Sequence, residues 1–337
     1  MSLLRLRRGG GVNTLLVTKC PGYGGIAFSG RLITGHGERE FRGFMAGEPQ
    51  YLTNFVHYGL YDDYLNIGDD VHGYIIVNNG EPELINFKRR DLRSIEEIIN
   101  ADKVRGRILL TPYSEAGVSS EVNEDSAAKL SIHDCNKGLL WHIGVVADGV
   151  GGFGRGDEAS EYVVGNFVEK VVDGIINNRI NGDTLKGIVE EIHEELYNMY
   201  TGRGVALGST LAGVVIMHKE GEGEAEVYAV NVGDSPIYLV SEKIHELYIS
   251  DKVSGHLISQ AIGYVLNEVH VRSDTLYIND YLVLMTDGVS DVVDPGHIRA
   301  IINKYEHPWD ISRQLVRFAK ALGSRDDATA LTVWFKG

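Results

Sequence analysis

Cysteine is nearly absent from this 337-residue chain: Cys20 and Cys135 lie in different regions, without CxxC spacing. That usage excludes a disulfide scaffold and a cysteine zinc site, and it fits a reducing cytoplasm. No apolar run approaches the ~20 residues of a membrane span. The opening MSLLRLRRGGG is basic but lacks the apolar core of a signal peptide, so a soluble, cytoplasmic protein is expected. Positive charge is also short, with 32 Lys+Arg against 47 Asp+Glu and a formal charge of −15. Nucleic acid and anionic membrane are therefore poor candidates for the main partner, because phosphate binding needs clustered Lys and Arg. The deficit is uneven. Residues 1–105 hold 13 basic and 13 acidic residues, while 106–337 hold 19 and 34 and so carry the whole excess.

The chain divides at the same place. Residues 1–105 read as a β-rich accessory module, with strands at Gly25–Thr34 and Gly73–Val77, a hairpin signal at Asn78-Asn79-Gly80 and a short helix over Asp91–Ala101. Residues 106–337 begin with strands at Ile108–Tyr113, Asp125–Ile132 and Leu139–Ala147. Two long helices follow. Val164, Phe167, Val168, Val171, Val172 and Ile175 predict one over Asp157–Ile180; Leu185, Ile188, Val189, Ile192, Leu196 and Met199 predict the next over Thr184–Tyr200. Strands are then expected at Thr210–Met217, Ala225–Val232, Pro236–Val240, Leu247–Ile249, Tyr281–Met285 and Ala328–Phe335, with a helix over Trp309–Leu322. Consecutive hairpins imply antiparallel sheets, and paired helices must cover their faces. The expected class is α+β, an antiparallel β-sandwich flanked by helix pairs, with the β-rich segment in front.

Acidic residues gather where strands start or stop. Glu124-Asp125 precedes a strand, Asp148-Gly149 ends LLWHIGVVAD, Asp287-Gly288 ends YLVLMTDG, and Asp326-Asp327 opens DDATALTVWF. Carboxylates held at the edge of a core repel unless a cation joins them, and hard oxygen donors suit Mg²⁺ or Mn²⁺. A competing pattern, Gly149-Val150-Gly151-Gly152-Phe153-Gly154, matches GxGxxG after a strand and before a helix. A second helix and hairpin-linked strands follow it, where a dinucleotide site requires a parallel strand ending in an acid. These glycines are instead expected to turn the backbone and present a carbonyl beside Asp148. His193-Glu194-Glu195 lacks the second histidine of HExxH, and no Gly-rich loop ends in Lys-Ser or Lys-Thr.

The ordered motifs NEDS (123–126), VADGVGGFGRGDEAS (146–160), LGSTLAGVVI (207–216), VNVGDSPIYLV (230–240), MTDGVSDVV (285–293) and DDATALTV (326–333) resemble the PPM family of metal-dependent serine/threonine phosphatases, the protein phosphatase 2C group. The resemblance covers roughly residues 107–337. It implies a catalytic domain over 106–337 with two Mn²⁺ or Mg²⁺ ions at one end of the sandwich and a metal-activated water attacking phosphorus. By the resemblance, Asp148 would bridge both ions, with Asp287 and Asp326 on the first. Glu124 and the Gly149 carbonyl would hold the second, and Asp125 would orient water. Asp291 would be half of a weak third site. Asp234 would be a hydrogen-bonding turn residue.

Three positions depart from the family pattern. Ser120 stands where an arginine usually grips the substrate phosphate, and Arg155 is the candidate replacement. Val150 and Phe153 occupy positions that often hold histidine, and Val205 replaces an acid that helps bind a third ion. The resemblance implies phosphoserine and phosphothreonine in proteins as substrate. A metal-binding pseudophosphatase and a phosphatase for a small phosphoester are the alternatives. Residues 1–105 are the candidate surface for a protein partner.

Overall fold

The computed structural model describes strand backbones at 11–20, 25–34, 37–46, 71–78 and 81–88, then residues 107–118, 122–134, 139–151, 155–219, 221–255, 257–305 and 307–337. The helix expected over Asp91–Ala101, and Ser120, Cys135 and Phe153, lie outside the described residues. The early strands are β1 (Gly11–Cys20), β2 (Gly25–Thr34), β3 (Gly37–Ala46), β4 (Val71–Asn78) and β5 (Glu81–Lys88). Asn78 pairs with Glu81 across the β4–β5 hairpin that the sequence signalled.

The remainder alternates strands and helices. First come β6 (Arg107–Glu115), β7 (Asp125–Asp134), β8 (Leu139–Gly151), α1 (Gly156–Ile176) and α2 (Gly182–Met199). Next are β9 (Leu207–Ser209), β10 (Leu211–Lys219), β11 (Glu224–Val232), β12 (Ile237–Val240) and β13 (Ile244–Glu246). The small hairpin strands β14 (Lys252–Ser254) and β15 (Leu257–Ile258) precede β16 (His270–Tyr277) and β17 (Tyr281–Met285). The chain closes with α3 (Asp287–Ser290), α4 (Pro295–Lys304), α5 (Pro308–Ala321) and β18 (Ala328–Lys336).

Two sheets stack. One runs β16-β11-β10-β8-β7 and continues through β1, which pairs in parallel with β7, to β2-β3-β4-β5; the other runs β13-β12-β17-β18-β6. Side-chain alternation sorts the apolar residues into three layers. On β17, Leu282 and Leu284 enter the core between the sheets, while Tyr281, Val283 and Met285 face α4 and α5. On β8, Val146 faces the other sheet, while Val145 and Ala147 pack under α1 and α2. Phe167 of α1 is fully buried there, above Gly213 of β10. A Cβ on Gly213 would lie 2.9 Å from the Phe167 ring, so the absent side chain is what admits the aromatic ring. The expected helix–sheet–sheet–helix sandwich is the observed one.

Differences from the expectation are local. Met199, placed on the buried face of α2 by periodicity, is exposed at the end of that helix. The strand expected at Leu247–Ile249 lies at Ile244–Glu246, where Tyr238–Val240 provides the antiparallel partner. Strands β1, β3, β9, β14, β15 and β16 and helices α3 and α4 were not anticipated, and β5 only as the far arm of the signalled hairpin. Strand β8 runs on to Gly151 rather than stopping at Ala147. There β9 supplies a fresh partner, pairing Gly149 with Ser209 and Val150 with Gly208. Among the described residues no helix is long and apolar enough to cross a membrane.

Candidate active site

The β7–β8 register places Asp125 directly opposite Asp148. Residues opposite one another in an antiparallel pair project to the same face, so two carboxylates meet by construction. The Asp148 backbone is clamped: its N–H donates to Thr210 Oγ1 (2.9 Å), and its carbonyl accepts from Thr210 N–H (2.8 Å) and Ser209 Oγ (2.9 Å). Asp125 Oδ2 accepts a hydrogen bond from Thr286 Oγ1 (2.8 Å), whereas its Oδ1 is buried without a hydrogen-bond partner. Asp287 follows Thr286 at the start of α3 and is buried.

Electrostatics binds the same residues into one group. Burial pushes the Asp148 carboxyl well above the usual carboxylate range, and Asp125, Asp287 and Asp326 add to the shift. Burial likewise pushes Asp125 up to about 8, reinforced by Asp327 and Asp287. Glu124 is raised by burial and by Asp327, Asp157 and Asp326, against the pull of its hydrogen bond from the Gly156 N–H (3.0 Å).

A second cradle forms where β8 meets α1. The Gly149 N–H donates to the Glu124 carbonyl (3.1 Å). A Cβ on Gly156 would sit 2.3 Å from the Gly149 carbonyl oxygen and 2.8 Å from the Glu124 carboxyl carbon. The Gly149 carbonyl and the Glu124 carboxylate therefore border one backbone position, which only glycine can fill. Gly149 is there for this close approach and for its pairing with Ser209, rather than for the sharp turn the sequence suggested.

Asp327 was not singled out as an individual residue by the sequence reading. It is buried, and its two oxygens accept from Gly117 N–H (2.6 Å) and Glu124 N–H (2.7 Å), tying the segment before β7 to β18. Its signal was present as the second acid of Asp326-Asp327, but its clamp reaches across about 200 residues and no local pattern reveals that. Lys252 was also missed. It contacts Asp291 and lies 3.5 Å from Asp234. Arg155 forks onto Glu158 through Nε (3.2 Å) and Nη2 (2.6 Å) and lies over the Tyr200 ring at 5.2 Å. It stands one residue before Gly156, with its guanidinium engaged by its own helix.

Among the described residues, no three His, Cys, Asp or Glu side chains close on a common point as a finished metal cluster. The donor set nevertheless fits hard divalent cations. It offers oxygen donors only, an orphaned buried oxygen on Asp125, and carboxyls whose proton affinities are raised by mutual repulsion and burial. Beside it, Val150, Leu207, Gly208, Leu257, Ile258 and Tyr264 line most of a cavity of about 280 Å³, largely apolar.

Comparison with known proteins places this arrangement in a class. The family described as Protein phosphatase 2C matches residues 117–336. The chain belongs to that family. It is 24% identical over 219 residues to the serine/threonine phosphatase stp of Listeria monocytogenes, spanning 57% of this chain and 83% of that protein. It is 26% identical over 214 residues to the protein phosphatase PhpP of Streptococcus pneumoniae, spanning 56% and 84%. Two solved structures share the fold. PppA of Pseudomonas aeruginosa, a regulatory component of a T6SS, has a TM-score of 0.52 at 23% identity, covering 68% of this chain and 97% of that one. The Mycobacterium tuberculosis serine/threonine phosphatase PstP/Ppp has a TM-score of 0.51 at 18% identity, covering 68% and 99%.

The raised Asp125 carboxyl makes a pH prediction for metal-free protein. Its folded pKa of about 8 exceeds the ordinary value of 3.8, so the folded state holds a proton that the unfolded state releases between those values. Its contribution to stability is full below the lower value and is lost as pH rises through the upper one. In EDTA, the urea midpoint should fall between pH 5 and pH 8, and it should fall less in Asp125→Asn. An equal fall in both proteins would contradict this.

Proposed function

We propose that the chain is a metal-dependent protein serine/threonine phosphatase that hydrolyses phosphoserine and phosphothreonine in proteins. The observation that carries the reading is the Asp125–Asp148 pair, with Asp125 buried and Asp148 half-buried, and Asp287 and Asp326 in its field. Asp148, Asp287 and Asp326 would hold one divalent ion, and Glu124, the Gly149 carbonyl and Asp148 a second, with Mn²⁺ or Mg²⁺ as the fitting metals. Bound there, the ions would lower the pKa of water and offset charge on the phosphoryl oxygens.

The chain's own groups supply order around that chemistry. Thr210 and Ser209 fix the Asp148 backbone, so its carboxylate is presented in one direction. Thr286 holds Asp125 Oδ2, which leaves Oδ1 to accept a hydrogen bond from the attacking water and orient it. For Arg155 to grip a phosphate, the phosphate would have to replace Glu158 on its guanidinium. The apolar cavity would suit an aliphatic or aromatic side chain flanking the phosphorylated residue of a peptide.

Phosphate release from p-nitrophenyl phosphate and a phosphothreonine peptide tests the reading. Wild type should be active with Mn²⁺ and silent in EDTA, and Asp148→Asn should lose about 100-fold or more, since weakening even the groups behind metal ligands costs 10–100-fold. Equal release by wild type and mutant in Mn²⁺ refutes the enzyme. Tyr264→Ala should raise KM severalfold for a peptide with an apolar flanking residue and leave p-nitrophenyl phosphate unaffected; parallel changes on both substrates would refute the cavity's role.

A further inference from the structure

Lys252 opens a short hairpin at the rim of the acids, and the residue before it is firmly anchored. The preceding residue, Asp251, donates its N–H to the Gly233 carbonyl (3.0 Å) and accepts from Ser259 N–H (2.9 Å). Its carboxylate accepts from Gly233 N–H (2.7 Å) and Gln260 Nε2 (2.7 Å), with His270 Nε2 at 3.2 Å. Lysine ordinarily carries a solvated point charge on a flexible stem. Here the side chain is 27% exposed and the ammonium is held by Asp291 and by Asp234, whose own side chain is 5% exposed.

Those two acids adjoin the centre described above. Asp287 acts electrostatically on both Asp234 and Lys252, and it also acts on Asp148. Asp291 sits at the C-terminal end of the single-turn helix that Asp287 begins, with its N–H bonded to the Asp287 carbonyl (2.9 Å). An ammonium and a hard divalent ion compete for the same oxygens. Two divalent ions would offset four charges among Glu124, Asp125, Asp148, Asp287 and Asp326, which leaves Asp234 and Asp291 to Lys252.

We infer that Lys252 is a positioning residue: its ammonium takes the place of a further divalent ion at Asp291, limits the chain to two metal ions and pins the β14–β15 hairpin to the rim of the site. This rests on reading the buried acids as a metal centre. The weak third site expected at Asp291 is thereby assigned to an internal cation.

Counting bound Mn²⁺ by electron paramagnetic resonance, titrated into the millimolar range, tests the inference without relying on turnover. Wild type and Lys252→Arg should bind two ions. Lys252→Met should bind a third at least about tenfold more tightly than any third event in wild type, because a unit charge in direct contact has been removed. Adding Asp291→Asn to Lys252→Met should abolish that third ion. Asp291→Asn alone should still bind two, which is informative even if Lys252→Met does not fold. A count of two in folded Lys252→Met, or loss of an ion in Asp291→Asn alone, overturns the role of Lys252 while leaving the metal centre intact. A wild type that binds no Mn²⁺ overturns both.

Discussion

Asp125 and Asp148 face each other across the β7–β8 ladder, and much of this end of the molecule consists of what is needed to keep two largely enclosed acids there. Burial alone disfavours ionising either one, and Asp287, Asp326 and Asp327 add like charge. A hydrophobic sandwich tolerates such a group only if its backbone is immobilised and its acids are either kept protonated or met by something cationic. Immobilisation is visible in the Thr210 and Ser209 bonds to Asp148, the Thr286 bond to Asp125 and the two-handed grip of Asp327 on Gly117 and Glu124. The divalent ions proposed above would meet that charge and give the fold its chemical use.

The layers explain why the acids collect at one end. Strands β8 and β17 are mainly apolar and lead to Asp148 and Asp287, while β7 opens on Asp125 and β18 follows Asp326-Asp327. Stacking the sheets brings those termini together without long loops. Glycine then sets how closely they approach, as at Gly149 and Gly156, where two backbones touch beside Glu124. The same end carries the apolar cavity and the β14–β15 hairpin, so a binding surface for a flanking side chain and a fixed ammonium lie on the rim of one centre.

Much of this was legible in the sequence. Helices α1 and α2 were visible because their apolar residues recur at helical spacing, and the strands running to Asp148 and to just before Asp287 because an apolar run leads into an acid. Strand β16 was not visible, since His270–Tyr277 is mostly polar and half-exposed and owes its conformation to pairing with β11. Helix α4 was missed because it is short and rests on a capping box at Asp294 and His297 rather than on a long apolar stripe. Lys252 and Asp327 could not be found by local pattern. Their partners lie about 40 and 200 residues away, and lysine and aspartate are ordinary surface residues until a fold encloses them.

Holding divalent cations is the role proposed for the acids at this end. Crystals grown with Mn²⁺ and measured at an anomalous wavelength test it directly. Two anomalous peaks are predicted, one among Asp148, Asp287 and Asp326 and one beside Glu124 and the Gly149 carbonyl, with Lys252 still on Asp291. Peaks elsewhere, or none at saturating Mn²⁺, would contradict it.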